Sequence, residues 1–220
     1  MIRLVIALAL LLGVAFAAPD PVREAKHSAV SIAQQDGTRY CSGAVVNLPQ
    51  GPRIVSAGHC AVGVGQRVYV QDIQGNQYLA RVEEMHFDWP EDYAVIRSVA
   101  QWLLPALEVG GPMTIGDTYY SWASPHGYEL LFFRGMYAGT IMPNESGDGL
   151  DPTGMPFLAI DGAGGSSGSI ILDSRGRAVA IHVGGMLGNI IPPEGFNPPR
   201  WVRIPVRGGL LAPLPRGDNT

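Results

Sequence analysis

The chain has 220 residues, 46% of them hydrophobic and 15% charged, with a formal charge of −4. That composition can bury a substantial core, which excludes an intrinsically disordered chain. The negative balance, with no Lys/Arg run, argues against a nucleic-acid partner.

In chain order, the first 17 residues combine Arg3, an apolar run from Leu4 to Val14 and the small-residue end Ala15-Phe16-Ala17. This reads as a secretory signal peptide with the mature chain starting at Ala18, because a cut after Ala18 would fall directly before Pro19. The run is short of the roughly 20 residues of a membrane span, so no stable membrane insertion is expected. The expected location is secreted, extracellular or periplasmic, and the remainder suits one compact unit, 18–220. The two cysteines, Cys41 and Cys60, form one disulfide in such a compartment or remain as two buried thiols.

With 29 Gly and 18 Pro spread along the chain, long helices do not fit between the turn signals. Strands are predicted at Ala29–Ala33, Arg39–Val46, Arg53–Ala57, Arg67–Ile73, Tyr78–Phe87 and Tyr93–Ser98. A second set is Thr118–Ala123, Glu129–Tyr137, Phe157–Ile160, Ser169–Leu172, Ala178–Val183 and Trp201–Val206. Short strands rich in Val, Ile, Tyr and Phe at this spacing point to an all-β sandwich or barrel pair. Arg97 to Thr118 reads as the crossing between halves, and Asp173–Arg177 as a hairpin turn. Pro143–Gly154 and Gly188–Pro199 read as surface loops, the first holding the acceptor-like Asn144-Glu145-Ser146.

Three segments carry chemistry. Ser56-Ala57-Gly58-His59-Cys60 ends an apolar strand on a histidine, and Asp92-Tyr93-Ala94-Val95-Ile96 opens one on an acid. Gly164-Gly165-Ser166-Ser167-Gly168-Ser169 is a glycine-rich serine turn. A serine hydroxyl attacks only with an adjacent base, a group orienting that base, and donors for the developing oxyanion. Asp88 competes with Asp92 for the acid, but it precedes Trp89-Pro90, where a regular strand is disfavoured. Gly164–Gly168 also fits the G-x-S-x-G elbow of α/β-hydrolases, with Ser166 as nucleophile and His182 as base. That alternative needs alternating helices and an acid between the two, where only Asp173 lies.

The A-G-H-C, D-x-A-V-I and G-x-S-G-S boxes, in this order, resemble the trypsin-like, chymotrypsin-fold serine protease family over roughly residues 28–206. The resemblance implies two six-stranded antiparallel Greek-key β-barrels, about 28–100 and about 115–206, with the active site in the cleft between them. It implies a disulfide between Cys41 and Cys60, and a triad of Ser167 as nucleophile, His59 as base and Asp92 as orienting acid. The amides of Gly165 and Ser167 would form the oxyanion hole. The implied activity is serine endopeptidase hydrolysis of proteins or peptides by a secreted, monomeric enzyme. No cofactor and no metal are expected: His27, His86 and His126 are isolated, and neither H-E-x-x-H nor a zinc-type cysteine pair occurs. The competing class is a protease-like binding protein that has lost turnover.

Around the specificity pocket, Ala180-Ile181-His182-Val183-Gly184-Gly185 resembles the bacterial glutamyl endopeptidases, whose S1 histidine contacts an acidic P1 side chain. His182 thus implies Glu or Gln at P1, with Val183 and Gly184 pairing with the substrate backbone. Two departures stand against this. Gly162-Ala163 replaces the threonine usual there, and Asp161 occupies the place of trypsin's pocket-floor aspartate, which favours Arg or Lys. Trypsin also carries an aspartate directly before its nucleophile to capture the new N-terminus; Ser166 stands here, so that switch is not available in this form.

Overall fold

The computed structural model describes residues 19–33, 38–61, 63–88, 90–98, 104–140, 156–190 and 204–215. The signal-peptide segment, the Asn144 acceptor and the 143–154 loop lie outside the described residues, as do Trp89 and Trp201.

A short helix, α1 (Pro21–Glu24), opens the described chain. Asp20 caps it by accepting from the Val22 amide (3.0 Å), and Pro21 sits where a missing N–H costs nothing. The segment is pinned across the second half of the molecule. Val22 is buried and its carbonyl accepts from Trp122 Nε1 (2.9 Å), while Pro21 O lies 2.5 Å from where a Cβ on Gly176 would be.

The first barrel comprises β1 (Ala29–Ala33), β2 (Arg39–Leu48), β3 (Gly51–Ser56), β4 (Arg67–Gln71), β5 (Gln77–Asp88) and β6 (Glu91–Ser98). The second comprises β7 (Thr118–Ala123), β8 (Leu131–Thr140), β9 (Pro156–Ala159), β10 (Ile170–Leu172), β11 (Ala178–Ile190) and β12 (Ile204–Ala212). Both are closed and antiparallel, in the cyclic orders β1-β2-β3-β6-β5-β4 and β7-β8-β9-β12-β11-β10. The same order appears twice.

Val30, Ile32, Val45, Ile54 and Ile96 are almost fully buried in the first barrel. Their cluster continues through Ile170, Ile181 and Ala212, so the barrels share one core across their junction. Tyr119, Leu158, Ile160, Ile171, Ala180 and Leu211 form a smaller cluster inside the second barrel. The crossing segment is stitched to both sides: Leu107 N donates to Val45 O (2.9 Å) and Ala178 N to Glu108 O (2.8 Å).

Most strand expectations hold, with differences at the ends. Asp92 lies one residue inside β6 rather than ahead of the strand. Strand β8 starts at Leu131, not Glu129, and runs to Thr140. Strand β11 continues through the Gly184-Gly185 pair to Ile190, because β12 pairs with it from Ile181↔Ala212 to Ile190↔Ile204. Glycines that read as the start of a loop at Gly188 are therefore held by a neighbour. The closing strand ends at Ala212, past the expected bound at 206. Gly208 and Gly209 are allowed in it because Phe157 and His182 press against them: a Cβ would meet Phe157 Cζ at 2.1 Å and His182 Nε2 at 2.6 Å.

Candidate active site

His59 sits in a single 3₁₀ turn, Gly58–Cys60, directly after β3. Gly58 is required by space: a Cβ there would lie 1.8 Å from the His86 carbonyl of β5 and 2.9 Å from Asp92 Oδ1. That closeness delivers His59 to Asp92 of β6. The carboxylate grips the histidine twice, accepting from the main-chain N through Oδ1 (2.9 Å) and pairing with Nδ1 through Oδ2 (2.7 Å). A carboxylate can only accept, so the proton sits on Nδ1 and Nε2 presents its lone pair. Asp92 is 1% exposed, while the imidazole keeps 32% of its surface free toward the cleft. Phe87 flanks the ring at 6.3 Å between centroids. Asp88, the competing acid, ends β5 and makes no hydrogen bond or ion pair with His59 among the described residues.

Cys41 and Cys60 form a disulfide (Cα–Cα 6.1 Å) that ties β2 to the histidine turn. Both sulfurs are thereby committed, and with His59 they do not make a metal site although their ligand atoms lie within 4.8 Å.

The serine turn is held from several directions. His126 N donates to Gly164 O (2.5 Å), Ser42 Oγ to Gly165 O (2.7 Å), and Ser166 N to Ala163 O (2.9 Å). Ser169 N donates to Ser166 O (3.1 Å), Ser42 N to Ser167 O (2.8 Å), and Gly168 N to His182 O (2.7 Å). From the carbonyl of Gly164 to the amide of Gly168, two backbone polar groups have no protein partner among the described residues. They are the N–H groups of Gly165 and Ser167. Gly165 has φ +92° and no room for a side chain, since a Cβ would meet Ser124 O at 2.5 Å. Gly168 is tighter still: at φ +85°, a Cβ would lie 2.1 Å from Ser56 Oγ and 2.2 Å from Ser42 O of the first barrel.

Ser167 is half-buried at the junction, and no hydrogen bond joins its hydroxyl to His59 among the described residues. Ser166 is 2% exposed and its Oγ accepts from Ala163 N (3.3 Å). It points into the turn, which removes the elbow alternative with Ser166 as nucleophile, as does the absence of alternating helices among the described residues.

His182, of β11, is 5% exposed. Its Nε2 donates to Gly184 O (3.0 Å), and the ring is wedged between Gly162 and Gly209, whose added Cβ atoms would meet it at 2.8 and 2.6 Å. Burial pushes the imidazole down to about 4; the bond to Gly184 works the other way, and the nearby His59 adds to the depression. His182 is neutral near pH 7. Val183 is buried and Gly184 half-exposed, on a stretch of β11 beyond the last β10 pair, Ile170↔Ile181. Asp161 is exposed, not sunk in a pocket floor.

Ser42 is the residue that sequence reading passes over. Fully buried in β2, it gives its main-chain N to Ser167 O and its hydroxyl to Gly165 O, and it accepts from Ser124 N (2.8 Å). Its place directly after Cys41 is the one available cue.

The trypsin-like peptidase domain model matches residues 41–181 of this chain. The chain belongs to that family. Among solved structures it is similar to the Rv3671c protease in its inactive form, with TM-score 0.62 and 19% identity over 87% of this chain and 86% of that one. A serine-to-alanine mutant of Rv3671c from M. tuberculosis H37Rv gives 0.62 and 16% over 90% and 87%. An HtrA-type protease, an AlgW variant solved with a tripeptide, gives 0.61 and 17% over 88% of this chain, which spans 58% of that one. None of the three is described as a glutamyl endopeptidase. At these identities the likeness is one of fold. No curated protein matches the chain in sequence.

Proposed function

We propose that this trypsin-like peptidase is an exported serine endopeptidase that cleaves peptide bonds through an acyl-enzyme on Ser167. His59 Nε2 takes the Ser167 proton as the hydroxyl attacks the carbonyl carbon, and returns it to the leaving amine. Asp92 keeps the ring in that tautomer and stabilises its charged form. The oxygen that gains charge is received by the N–H groups of Gly165 and Ser167, and losing one such donor typically costs roughly 3 kcal/mol of transition-state stabilisation.

The observation that carries this reading is the pair of unpartnered amides in a turn whose other backbone groups are anchored. Donors kept free and fixed suit an oxygen that is present only during reaction. No hydrogen bond joins the serine hydroxyl to His59 among the described residues, and such catalytic contacts commonly tighten only when substrate is bound. Ser166 closes its own turn through Ala163, so the turn needs no captured N-terminus.

His182 supports Glu or Gln at P1 and orders them. With Nε2–H engaged by Gly184, the neutral ring offers Nδ1 as an acceptor, which suits the Gln amide. A Glu carboxylate would need a second ring proton that burial opposes. Exposed Asp161 is solvated at the rim and gives Arg or Lys less support than a buried floor carboxylate would. Val183 and Gly184 lie on the open stretch of β11 where a peptide backbone can pair.

The expected substrates are proteins or peptides. The signal-like first 17 residues and the disulfide support export to an oxidising compartment. Among the described residues no helix is long and apolar enough to cross a membrane. A monomer without nucleic-acid partners completes the proposal.

The test is labelling with a fluorophosphonate together with turnover of a mixed peptide library. Wild type should be labelled on Ser167 and cleave after Gln before Glu, and Ser167→Ala should do neither. Equal labelling of Ser167→Ala would remove Ser167 as nucleophile. Intact peptides and no label on wild type would favour the binding-protein reading.

A further inference from the structure

We infer that Ser42 of the first barrel is the positioning residue that sets the oxyanion donors of the second. This rests on the reading of Gly165 and Ser167 as those donors. The two carbonyls on either side of the Ser166 peptide, Gly165 O and Ser167 O, both end on Ser42, one on its hydroxyl and one on its amide. A peptide plane is rigid, so fixing the Gly165 carbonyl fixes the rotation of the plane that follows Gly165. His126 N on Gly164 O fixes the plane before it, which contains the Gly165 N–H. A trans peptide points its N–H opposite its carbonyl, so the bond from His126 aims the Gly165 N–H away from His126, and the Ser42 hydroxyl holds the next plane against rotation.

The Ser42 hydroxyl has no freedom of its own. It is fully buried; its single proton goes to Gly165 O, and a lone pair receives Ser124 N. Its carbonyl in turn accepts from Ser56 Oγ (2.7 Å), on the strand that leads into the histidine turn. One residue therefore links β2 and β3, the Ser124–Gly127 turn and the serine turn. Without its hydroxyl, the buried Ser124 N and the partly buried Gly165 O would both lose their partner, and a flip of the Gly165 carbonyl toward solvent would relieve the second loss. Gly165 and its φ +92° leave such a flip sterically open.

Replacing the hydroxyl separates this role from ordinary packing. Ser42→Ala leaves a gap the size of one oxygen, too small for water. Ser42→Gly leaves room for a water to bridge Ser124 N and Gly165 O. Packing and strand propensity alone would rank Gly below Ala, since glycine weakens a strand interior. The oxyanion role ranks them the other way.

The experiment is p-nitrophenyl acetate hydrolysis and peptide turnover by wild type, Ser42→Ala and Ser42→Gly. Melting temperatures and the NMR signal of the His59 Nδ1 proton are followed alongside. Ser42→Ala should lose on the order of 10- to 100-fold in kcat with KM nearly unchanged, less than the roughly 100- to 1000-fold of deleting an oxyanion donor outright. Ser42→Gly should melt lower yet recover part of kcat, to within about tenfold of wild type, as a bridging water restores most of a direct bond. The His59 proton should stay in place in both. A kcat for Ser42→Ala within about twofold of wild type, a loss carried by KM, or Gly slower than Ala would each overturn the inference. If Ser42→Ala does not fold, Ser42→Gly decides alone: about threefold or greater loss in kcat with the His59 proton unmoved supports it, and a smaller loss overturns it. An inactive wild type would instead overturn the proposed function, so the two failures are distinguishable.

Discussion

The two barrels share a strand order and divide the site unequally. The first holds His59 on a 3₁₀ turn tied down by a disulfide and Asp92 on β6, with Asp92 almost wholly buried and Gly58 pressed against β5 and Asp92. The second supplies Ser167 on a turn of glycines whose geometry is set largely from outside, by Ser42 and by the contact of Gly168 with Ser56 and Ser42. The outer faces differ as well: strand β1 is buried throughout, whereas β8 leaves Leu131, Phe132 and Met136 exposed. The proposed base and its acid are thus built into one core, while the proposed nucleophile is held where two cores meet. Domain-junction sites of this kind make the fit of one half against the other part of the catalyst.

Breaking the junction should have the largest effect. Gly168→Ala places a Cβ at φ +85° into Ser56 Oγ and Ser42 O, so unfolding free energy should fall by about 4 kcal/mol or more. Urea denaturation measures it, and turnover should vanish with it. Next comes the first barrel's own contribution. Asp92→Asn should keep the fold yet lower kcat by about 10⁴-fold, because the amide can donate to Nδ1 and hold the wrong tautomer. Circular dichroism and single-turnover kinetics would show the two effects separately.

Acid should expose the second barrel's buried histidine. His182 falls from 6.5 to about 4 on folding, so the native state refuses a proton that the unfolded chain accepts. Its full contribution to stability is present above pH 6.5 and is lost as pH falls toward 4, about 3 kcal/mol in all. Urea midpoints from pH 7 to pH 4 should drop more steeply for wild type than for His182→Gln. Parallel slopes would refute the assignment. The smallest effect belongs to the outer face: Phe132→Ser removes a ring stacked on Tyr120 at 5.8 Å and tilted against Trp122 at 5.0 Å, and should cost about 1 kcal/mol with kcat unchanged.

Much of this was legible in the residues. Val, Ile and Tyr runs bounded by Gly and Pro mark both barrels, since a half-buried strand needs those side chains and a tight turn needs the others. The three boxes name His59, Asp92 and Ser167. Other features depend on partners distant in the chain. Gly188 reads as a loop signal, yet pairing with β12 holds it in β11, and Gly208 and Gly209 stand in β12 because Phe157 and His182 crowd that strand from the side. Ser42 looks like any polar strand position, and the hydrogen bond that gives it a role spans 123 residues. Helix α1 is different, for Asp20-Pro21 is a local start signal that the search for long helical stripes overlooks.

The most direct measurement is a crystal structure of the protein after reaction with a peptidyl phosphonate. The account predicts phosphorus bonded to Ser167 Oγ, with one phosphonyl oxygen about 2.7–3.1 Å from the N–H groups of both Gly165 and Ser167. His59 Nε2 should lie within reach of the ester oxygen. An adduct on another side chain, or an oxygen turned away from both amides, would contradict it.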